Sequence, residues 1–333
     1  MKAAILRELG GPDKLLVEDV PTPTANSEIV IRVRAAALNR RDLFITYGQY
    51  PGIELPGIMG SDGAGEIAEL PAGYSGDLAV GDDVVILPSF DWGDDPRYQS
   101  PKFTTLGIPR DGTFAEYVSI PAENVYRKPA HLSFPEAAAL PLAGLTAFRA
   151  LTTRGAVAAG ENVLIPGVGG GVAGFAVQFA AALGANVYVT SRNPEHIALA
   201  TELGAMGGVD TTDEDWTKQL RAMVPQFDLV VDSIGGELFP SLLRVLRPGG
   251  RLVSFGASAG PVPELVLPYL FLKQIDVLGT SMGNAQEFAT MLDLVTTAAL
   301  RPHVGSRFPL ADVSEAMRSM ESGAPAGKII LEP

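Results

Sequence analysis

A glycine-rich turn between a short apolar run and an alanine-rich segment constrains this chain more than any other feature. The apolar run ends at Pro166, and a cluster of glycines follows between positions 167 and 174. The helical pattern after the cluster is expected to end near Leu183, where Gly184 can form a left-handed cap. Because Asn186–Thr190 has the pattern of a second strand, the unit is predicted to be strand, turn, helix and strand.

Glycine has two physical uses in such a turn. It tolerates the unusual dihedral angles of a tight connection, and it lets the backbone come close to a phosphate. Unpaired amides at the start of the helix then face the anion with the favourable end of the helix dipole. In this context the turn predicts a dinucleotide-binding unit rather than only a tight connection.

Two registers of the glycine motif fit the sequence. They are Gly169, Gly171 and Gly174, which match G-x-G-x-x-G, or Gly167, Gly170 and Ala173, which match a looser form with alanine last. We favour the second register because Gly167 directly follows the apolar run.

Composition limits the class of protein. The chain has 333 residues, of which 47% are hydrophobic, so it is long enough for two domains and a sizeable core. The net charge of −13 argues against nucleic-acid or anionic-membrane partners. No apolar run is long enough to span a bilayer, and the charged N-terminal residues Lys2 and Arg7 do not resemble a signal peptide. With no cysteine there is no disulfide framework, and we expect a cytoplasmic protein.

The first part of the chain, to about residue 125, is predicted to be rich in strands and turns. Its expected strands are Met1–Leu6, Leu15–Asp19, Glu28–Ala37 and Thr113–Val118. Asn39 should open a short helix as its capping residue. The polar and aromatic segment from 88 to 112 is predicted to be a long loop that either serves function or is anchored to the core by its aromatic side chains.

Strands and helices alternate in the second part of the chain. Ser133 and Glu136 form a capping-box pattern at the start of a helix. After the glycine unit, strands are expected at Phe227–Asp232, Arg251–Gly256 and Ile275–Thr280. This alternation predicts an α/β fold with a parallel, doubly wound sheet.

Several motifs, taken in order, resemble the medium-chain dehydrogenase/reductase superfamily over essentially the whole length. They are Asn39 with Asp42, Gly48 and Tyr50-Pro51; Gly60–Gly65; Gly112–Val118; Ala137–Pro141; the glycine turn; and Gly327-Lys328-Ile329. The zinc-independent quinone oxidoreductase branch is the most similar. The resemblance implies a Rossmann domain at 128–281, inserted in a chaperonin-10-like β-barrel catalytic domain formed by 1–127 and 282–333.

Zinc-dependent members of that superfamily hold a catalytic metal with Cys, His and Cys. By motif alignment those positions are Asn39, Ser61 and Ala143 here, and none is a useful zinc ligand. The chain also lacks the cysteines of the structural zinc lobe. We therefore expect no metal, and hydride transfer to an acceptor that is already polarised.

The end of the second strand of the glycine unit indicates the choice of cofactor. NAD-specific Rossmann folds place an acidic residue about 20 residues after the glycines to hold the ribose 2′-hydroxyl. Ser191 and Arg192 stand there instead, and Arg192 could bind a 2′-phosphate with two hydrogen bonds. Arg192 could also be a solvated surface residue. We expect NADP(H), with His196 in the first turn of the next helix.

The remaining cofactor contacts are implied by the resemblance and by the rule that doubly wound sheets bind ligands at the carboxyl ends of their strands. The full expected set is Thr146, Gly167, Gly169, Gly170, Gly171, Val172, Ser191, Arg192, His196, Asp232, Phe255, Gly256, Thr280 and Met282. For Thr146 a packing role is an equal alternative.

The resemblance assigns substrate roles to Asn39 and Tyr50, which would steady charge on a carbonyl oxygen, while Asp42 would orient its neighbours. Tyr50 could instead be a loop aromatic packed on the core. The function expected is reduction of a quinone or an α,β-unsaturated carbonyl by NADPH. Alternatives are reduction of simple carbonyls or enoyl thioesters, or NADPH binding without turnover. The resemblance also implies a homodimer that pairs Ile275–Thr280 at the sheet edge across a two-fold axis, which would cover an exposed apolar edge.

Overall fold

The computed structural model describes residues 1–323 and 326–333. The chain forms two compact units. The first, which we call the split unit, comprises Met1–Ala143 and Gly283–Pro333, and the second, the inserted unit, comprises Gly144–Met282. Residues 128–143 therefore group with the split unit, whereas the sequence had assigned them to the dinucleotide-binding domain. Their helix packs on four strands of the split unit, which accounts for the difference.

The strands are numbered along the chain. They are β1 (Lys2–Leu6), β2 (Leu15–Asp19), β3 (Ile29–Ala37), β4 (Gly57–Ile58), β5 (Asp62–Glu69), β6 (Asp83–Ile86), β7 (Ser89–Phe90), β8 (Thr104–Thr105), β9 (Tyr117–Ile120), β10 (Val125–Arg127), β11 (Asn162–Ile165), β12 (Asn186–Ser191), β13 (Gly207–Asp210), β14 (Phe227–Asp232), β15 (Leu246–Ser254), β16 (Asp276–Gly279), β17 (Val304–Pro309) and β18 (Lys328–Glu332).

The α-helices are numbered in the same way. They are α1 (Arg40–Thr46), α2 (Phe134–Ala139), α3 (Pro141–Arg149), α4 (Gly171–Ala182), α5 (Pro194–Glu202), α6 (Trp216–Met223), α7 (Phe239–Val245), α8 (Leu267–Lys273), α9 (Ala285–Thr297) and α10 (Val313–Ser322).

The split unit is built on a mainly antiparallel sheet. Its strand order is β10-β6-β5-β3-β18-β17, and β9 also pairs with β3. In β3 the sequence Ile31-Arg32-Val33-Arg34 alternates buried and exposed side chains, as expected of a strand with one face in the core. A smaller sheet, β2-β1-β4, completes the strands around the core.

The pairing of three strands brings distant parts of the chain together in the split unit. Ala37 at the end of β3 pairs with Asp62 in β5 on one side and with Ile330 in β18 on the other. The residues that directly follow β3 and those that begin β5 and β18 therefore meet at one place. This place holds the candidate substrate residues described below.

The aromatic segment from 88 to 112 is more ordered than the long loop that the sequence predicted. β7 and β8 pair within it, and the rings of Trp92 and Phe103 meet edge to face at 5.5 Å. Phe90 and Trp92 are buried, so these aromatic side chains anchor the segment to the core, which is one of the two alternatives given above. The expected strand Thr113–Val118 begins only at Tyr117. The amides of Thr113 and Phe114 bond instead to the backbone before β5.

The inserted unit contains a six-stranded parallel sheet in the order β13-β12-β11-β14-β15-β16. The strand order reverses between β11 and β14, which makes that point the topological switch of a doubly wound fold. The predicted α/β architecture of this unit is therefore confirmed. β13, α6 and α8 were not predicted. In the described residues there is no helix that is both long and apolar enough to cross a membrane.

Candidate functional site

The expected cofactor residues of the inserted unit follow the carboxyl ends of its parallel strands. Gly167 follows β11, Ser191 ends β12, Asp232 ends β14, Phe255 follows β15 and Thr280 follows β16. Because all these strands run in the same direction, the five positions lie along one edge of the sheet. That edge is where doubly wound folds bind their ligands.

The glycine turn has the backbone that the sequence predicted. Gly167 has φ 66° and Gly169 has φ 143°, values that a residue with a side chain rarely adopts. A Cβ at Gly167 would collide with Ile234 in the loop after β14, so the two loops touch at the switch point. A Cβ at Gly169 would collide with the imidazole of His196. The turn and His196, predicted separately, are therefore adjacent.

The start of α4 favours the register Gly167, Gly170 and Ala173. Gly170 is the N-cap of α4 and is exposed, with open space where a side chain would be. Gly171 and Val172 form the first helical positions, whose amides have no partner within the helix. Ala173 is buried, whereas a Cβ at Gly174 would meet nothing. Close packing at the third position is therefore made by Ala173.

The end of β12 presents a hydroxyl and a guanidinium. Ser191 is buried, and its Oγ accepts a bond of 3.1 Å from the amide of Asn193, which leaves the hydroxyl proton to donate. Arg192 is exposed, and it has no ion pair or hydrogen bond with any described residue. In the neighbouring strand, the carboxylate of Asp210 accepts bonds from Thr212, which lower its pKa. Asp210, the carboxylate opposite Ser191 in the neighbouring strand, is therefore already bonded to Thr212.

The other expected contacts differ in what their side chains can do. The buried carboxylate of Asp232 accepts the amides of Ile234 and Gly235, at 2.9 and 3.1 Å, so it shapes the loop. Burial raises the pKa of Asp232. In contrast, the Thr280 hydroxyl is buried with no hydrogen-bond partner among the described residues. A polar group of this kind is expected to have a partner, which a bound ligand could supply.

Three further expected cofactor residues are described here by their burial and backbone conformation. Gly256 is exposed after β15, and Met282 is buried with φ 51° after β16. Thr146 is buried within α3, where it has other interactions. Together with the open glycine turn and the unpaired Thr280 hydroxyl, these features fit a nicotinamide dinucleotide along the sheet edge.

The split unit holds a buried cluster around Asn39. The Asn39 Nδ2 donates to Asp62 Oδ2 at 2.9 Å, and its Oδ1 accepts from Lys328 Nζ at 2.7 Å. Lys328 also bonds the Leu38 carbonyl at 2.7 Å and Asp62 Oδ2 at 3.1 Å. The amide of Leu142 donates to the other Asp62 oxygen at 2.8 Å. Burial raises the pKa of Asp62, and these donors oppose the rise.

A second buried cation, Arg41, lies in the same cluster. Its Nη1 donates to Ser61 Oγ at 2.6 Å and to the carbonyls of Leu106 and Gly107 at 2.9 and 3.1 Å. Asp42 Oδ1 lies 3.5 Å from Ser61 Oγ and 3.6 Å from Arg41. Two buried cations are therefore present in the cluster: Lys328 bonds Asn39 and Asp62, and Arg41 bonds Ser61.

Asp42 holds the start of α1. Its Oδ2 accepts a hydrogen bond of 2.8 Å from the Asn39 amide. Its full burial raises its pKa to about 6, against the lowering effect of Arg41. Asn39 occupies the predicted N-cap position, and the bond from its amide to Asp42 Oδ2 is one half of a capping box. Its side chain is also engaged by Lys328 and Asp62.

Tyr50 contacts both this cluster and the core of the split unit. The Arg41 guanidinium carbon lies 4.8 Å from the Tyr50 ring centroid, within the range of a cation–π contact. The ring also packs against the core of the split unit, and it is partly buried. Its hydroxyl has no hydrogen-bond partner among the described residues.

A zinc ion does not fit the positions that hold metal in zinc-dependent relatives. Lys328 bonds the amide oxygen of Asn39, Arg41 bonds the hydroxyl of Ser61, and Ala143 offers no ligand atom. A divalent cation there would face two fixed positive charges. Within residues 1–323 and 326–333, His, Cys, Asp and Glu side chains form no group of three that could hold a metal.

The sequence did not identify Arg41, Asp62 and Lys328 as members of this cluster. Arg41 and Asp42 belong to a run of three charged residues at the start of a short helix whose next three residues are apolar. Lys328 opens the apolar strand β18 and is buried with it. Buried charges are rare unless they are paired. A charged residue beside or within an apolar stretch was therefore the sequence signal that could have indicated a buried ion-pair cluster.

Comparison with known proteins agrees with both units. The model of the alcohol dehydrogenase GroES-like domain matches residues 25–130, and that of the zinc-binding dehydrogenase matches residues 171–297. A zinc-type alcohol dehydrogenase-like protein of Leptosphaeria maculans is 35% identical, covering 96% of this chain and 94% of the relative. A quinone oxidoreductase of Pseudomonas aeruginosa is 30% identical, covering 97% of each.

Solved structures with this fold are described with different cofactors, NAD for one and NADPH for another. A structure described as an NAD-dependent alcohol dehydrogenase has a TM-score of 0.95 at 35% identity, covering 100% of both chains. A mycobacterial protein in complex with NADPH has a TM-score of 0.84 at 28% identity, also over 100% of both.

The fold and the sheet edge define an oxidoreductase of the class that uses a nicotinamide cofactor. The chain belongs to the medium-chain dehydrogenase/reductase superfamily, with a GroES-like split unit and a Rossmann unit inserted in it.

Proposed function

We propose that this protein is a zinc-independent reductase that transfers a hydride from NADPH to a quinone or an α,β-unsaturated carbonyl compound. The observation that carries the proposal is the engagement of Asn39 and Ser61 by Lys328 and Arg41. These contacts leave no place for a Lewis acid that would activate an alcohol or polarise a simple carbonyl. A conjugated acceptor needs only orientation and stabilisation of charge on its oxygen.

The preference for NADPH rests on the end of β12. The Ser191 hydroxyl can donate to a 2′-phosphate, and the unpaired Arg192 guanidinium can bind its oxygens. The carboxylate typical of NAD-specific sites is absent from the residues that follow β12 directly. The known structures named above do not decide between the two cofactors, so Arg192 is the basis of this preference.

The residues of the chain mainly bind and orient. Backbone amides at the start of α4 would hold the pyrophosphate, and Asp232 keeps the loop after β14 in shape beside the glycine turn. The bound nicotinamide supplies the hydride, which is its own chemistry. In the split unit, the free Nδ2 hydrogen of Asn39 and the Tyr50 hydroxyl are the donors proposed for the substrate oxygen.

We also propose a homodimer formed through β16. This strand is at the edge of the parallel sheet and pairs only with β15 among the described strands. Val277 in β16 is exposed, as are Leu267, Phe271 and Leu272 of the neighbouring helix α8. An apolar patch beside an open edge is typical of a surface that a partner covers.

The test is to follow the absorbance of NADPH with a panel of acceptors. Quinones, enones and enals should be reduced, in chelator as well as in buffer. Saturated aldehydes should react far more slowly. Rapid turnover of saturated carbonyls or enoyl thioesters instead would support the alternative reductase. Tight NADPH binding without oxidation by any acceptor would support a binding protein and contradict the proposal.

A further inference from the structure

The orientation of the Asn39 side chain is determined at both ends. A lysine ammonium group can only donate hydrogen bonds, so Lys328 must face the amide oxygen. A carboxylate can only accept, so Asp62 must face the amide nitrogen. Both neighbours select the same orientation of the amide. One Nδ2 hydrogen is then used by Asp62, and the other remains free to donate.

In the group formed by Lys328, Asn39 and Asp62, every side-chain donor has a partner except that one Nδ2 hydrogen. Lys328 has three donors, and they serve the Leu38 carbonyl, Asn39 Oδ1 and Asp62 Oδ2. The neighbours of Asp62 are all donors, namely Lys328, Asn39 and the Leu142 amide, so the arrangement requires the carboxylate form. Lys328 and Asp62 are 4% and 0% exposed, so water does not loosen these bonds.

Stability alone is a weak reason to bury such an ion pair. A well-packed apolar pair of similar volume is often as stable. Satisfied buried networks do, however, hold their members in one arrangement. Asn39 is the member of this network with a donor left over, and it stands where zinc-dependent relatives place a metal ligand.

We infer that Lys328 is a positioning residue: its ammonium group holds the Asn39 amide so that the free Nδ2 hydrogen is presented to the substrate oxygen. The inference rests on the proposed function for the role of that hydrogen. The arrangement of Lys328 and Asn39 itself does not depend on that function. In this chain a lysine from the last strand thus fixes the orientation of a substrate donor.

The kinetic test compares Lys328→Met with Lys128→Met. Lys128 is a partly buried lysine of the same unit that bonds the Leu132 carbonyl and lies 3.4 Å from Asp83, rather than bonding Asn39. We expect Lys328→Met to lower kcat about 10- to 150-fold, which is the range for a lost charge-assisted bond, with the Kd of NADPH unchanged. Lys128→Met should leave kcat unchanged.

A double-mutant cycle with Asn39→Ala separates positioning from a general structural role. If Lys328 acts through Asn39, the double variant Asn39→Ala with Lys328→Met should have the kcat of Asn39→Ala alone. Losses that multiply would overturn the inference. Lys328→Arg, which keeps the charge, should recover part of the activity.

A readout independent of turnover is the side-chain amide resonance of Asn39 in protein labelled with ¹⁵N at asparagine. Lys328→Met should shift this resonance and speed its hydrogen exchange, and Lys128→Met should not. If Lys328→Met does not fold, Asp62→Asn with Lys328→Met, which removes both buried charges, is compared with Asp62→Asn alone, so that the change at Lys328 is still isolated. An unchanged Asn39 resonance would overturn the inference. A shifted resonance in a protein that reduces no acceptor would support the positioning and refute only the proposed function.

Discussion

Asn39 shows which properties of a residue can be read from local sequence. Its place at the start of α1 follows from its neighbours, and the prediction of that position is correct. The partners of its side chain lie 23 and 289 residues away. They meet only because β3 pairs with both β5 and β18. Helix caps depend on a few neighbouring residues, whereas this cluster depends on the topology of the whole sheet.

Asp42 gives a prediction about pH. Its folded-state pKa of about 6 is above the unfolded value of 3.8, because burial disfavours the charged form. The stability it contributes is therefore complete below pH 3.8 and is lost as the pH rises through about 6. Asp42→Asn removes the titration and keeps an acceptor for the Asn39 amide.

The measurement is the free energy of unfolding of both proteins, followed by the fluorescence of Trp92 in a Trp216→Phe background. Trp92 then reports on the split unit alone. Relative to Asp42→Asn, the Asp42 protein should lose roughly 1–1.5 kcal/mol between about pH 5 and about pH 8. This range avoids the isoelectric point near 4.7. A difference that is constant or rises with pH would show that Asp42 has no raised pKa.

Arg192 gives a prediction about the cofactor. A charge-assisted bond to the 2′-phosphate is worth roughly 1.5–3 kcal/mol, or about 10- to 150-fold in affinity. Arg192→Asp should weaken NADPH binding by at least that factor, because it adds repulsion to the lost bond. NADH has no 2′-phosphate and should bind equally well or better.

The dissociation constants of both cofactors are to be measured at fixed, moderate salt. Lys218→Asp is the control, since it makes the same change of charge on the exposed face of α6. It should affect NADPH and NADH little. Equal losses for both cofactors in Arg192→Asp would mean that Arg192 supports the fold, and a native preference for NADH would reject the assignment.

Among the elements, those with strong local signals were predicted and those that depend on pairing were not. The capping box of α2 is present, with the Ser133 amide 2.7 Å from Glu136 Oε2. The turn, α4 and β12 also follow their local patterns. By contrast, β13 begins with Gly207 and Gly208, which have little tendency to form strands, and it exists because it pairs with β12. The helix α8 buries none of its residues, so it lacks the apolar periodicity of a helix packed on a core.

The exposed face of α8 and β16 gives a prediction about assembly. Light scattering should report a dimer at micromolar concentration. Replacing Phe271 and Leu272 with Glu should convert it to a monomer, because these exposed apolar side chains would lie in or beside the interface.

Val80→Glu is the matched control, since Val80 is a similarly exposed apolar residue in the split unit. That variant should remain dimeric. A native monomer would reject the dimer, and a dimer that survives both substitutions in α8 would place the interface elsewhere.

For the whole molecule, order along the chain was the most informative property of the sequence. A β-rich part and an alternating part predicted two different folds along the chain, and the resemblance implied that the second is inserted in the first. In the structure each of the two units has its own core. The assignment of 128–143 to the inserted unit differs from the structure, since a short helix can pack on either neighbour in the chain. Its contact with β3 and β5 is visible only in the folded protein.

Metal-free hydride transfer is the central claim about the whole molecule. The two buried cations Lys328 and Arg41 predict that the purified protein contains no stoichiometric zinc and remains active in chelator. A single experiment tests this together with the chemistry.

The protein is treated with chelator, its metal content is determined, and it is incubated with an enone and NADPH deuterated at the transferable position of C4. Mass spectrometry should find deuterium on the β-carbon of the saturated ketone, at the rate of untreated protein and with zinc far below one ion per chain. A product without deuterium, or deuterium transfer that is lost in chelator and returns with zinc, would contradict the account.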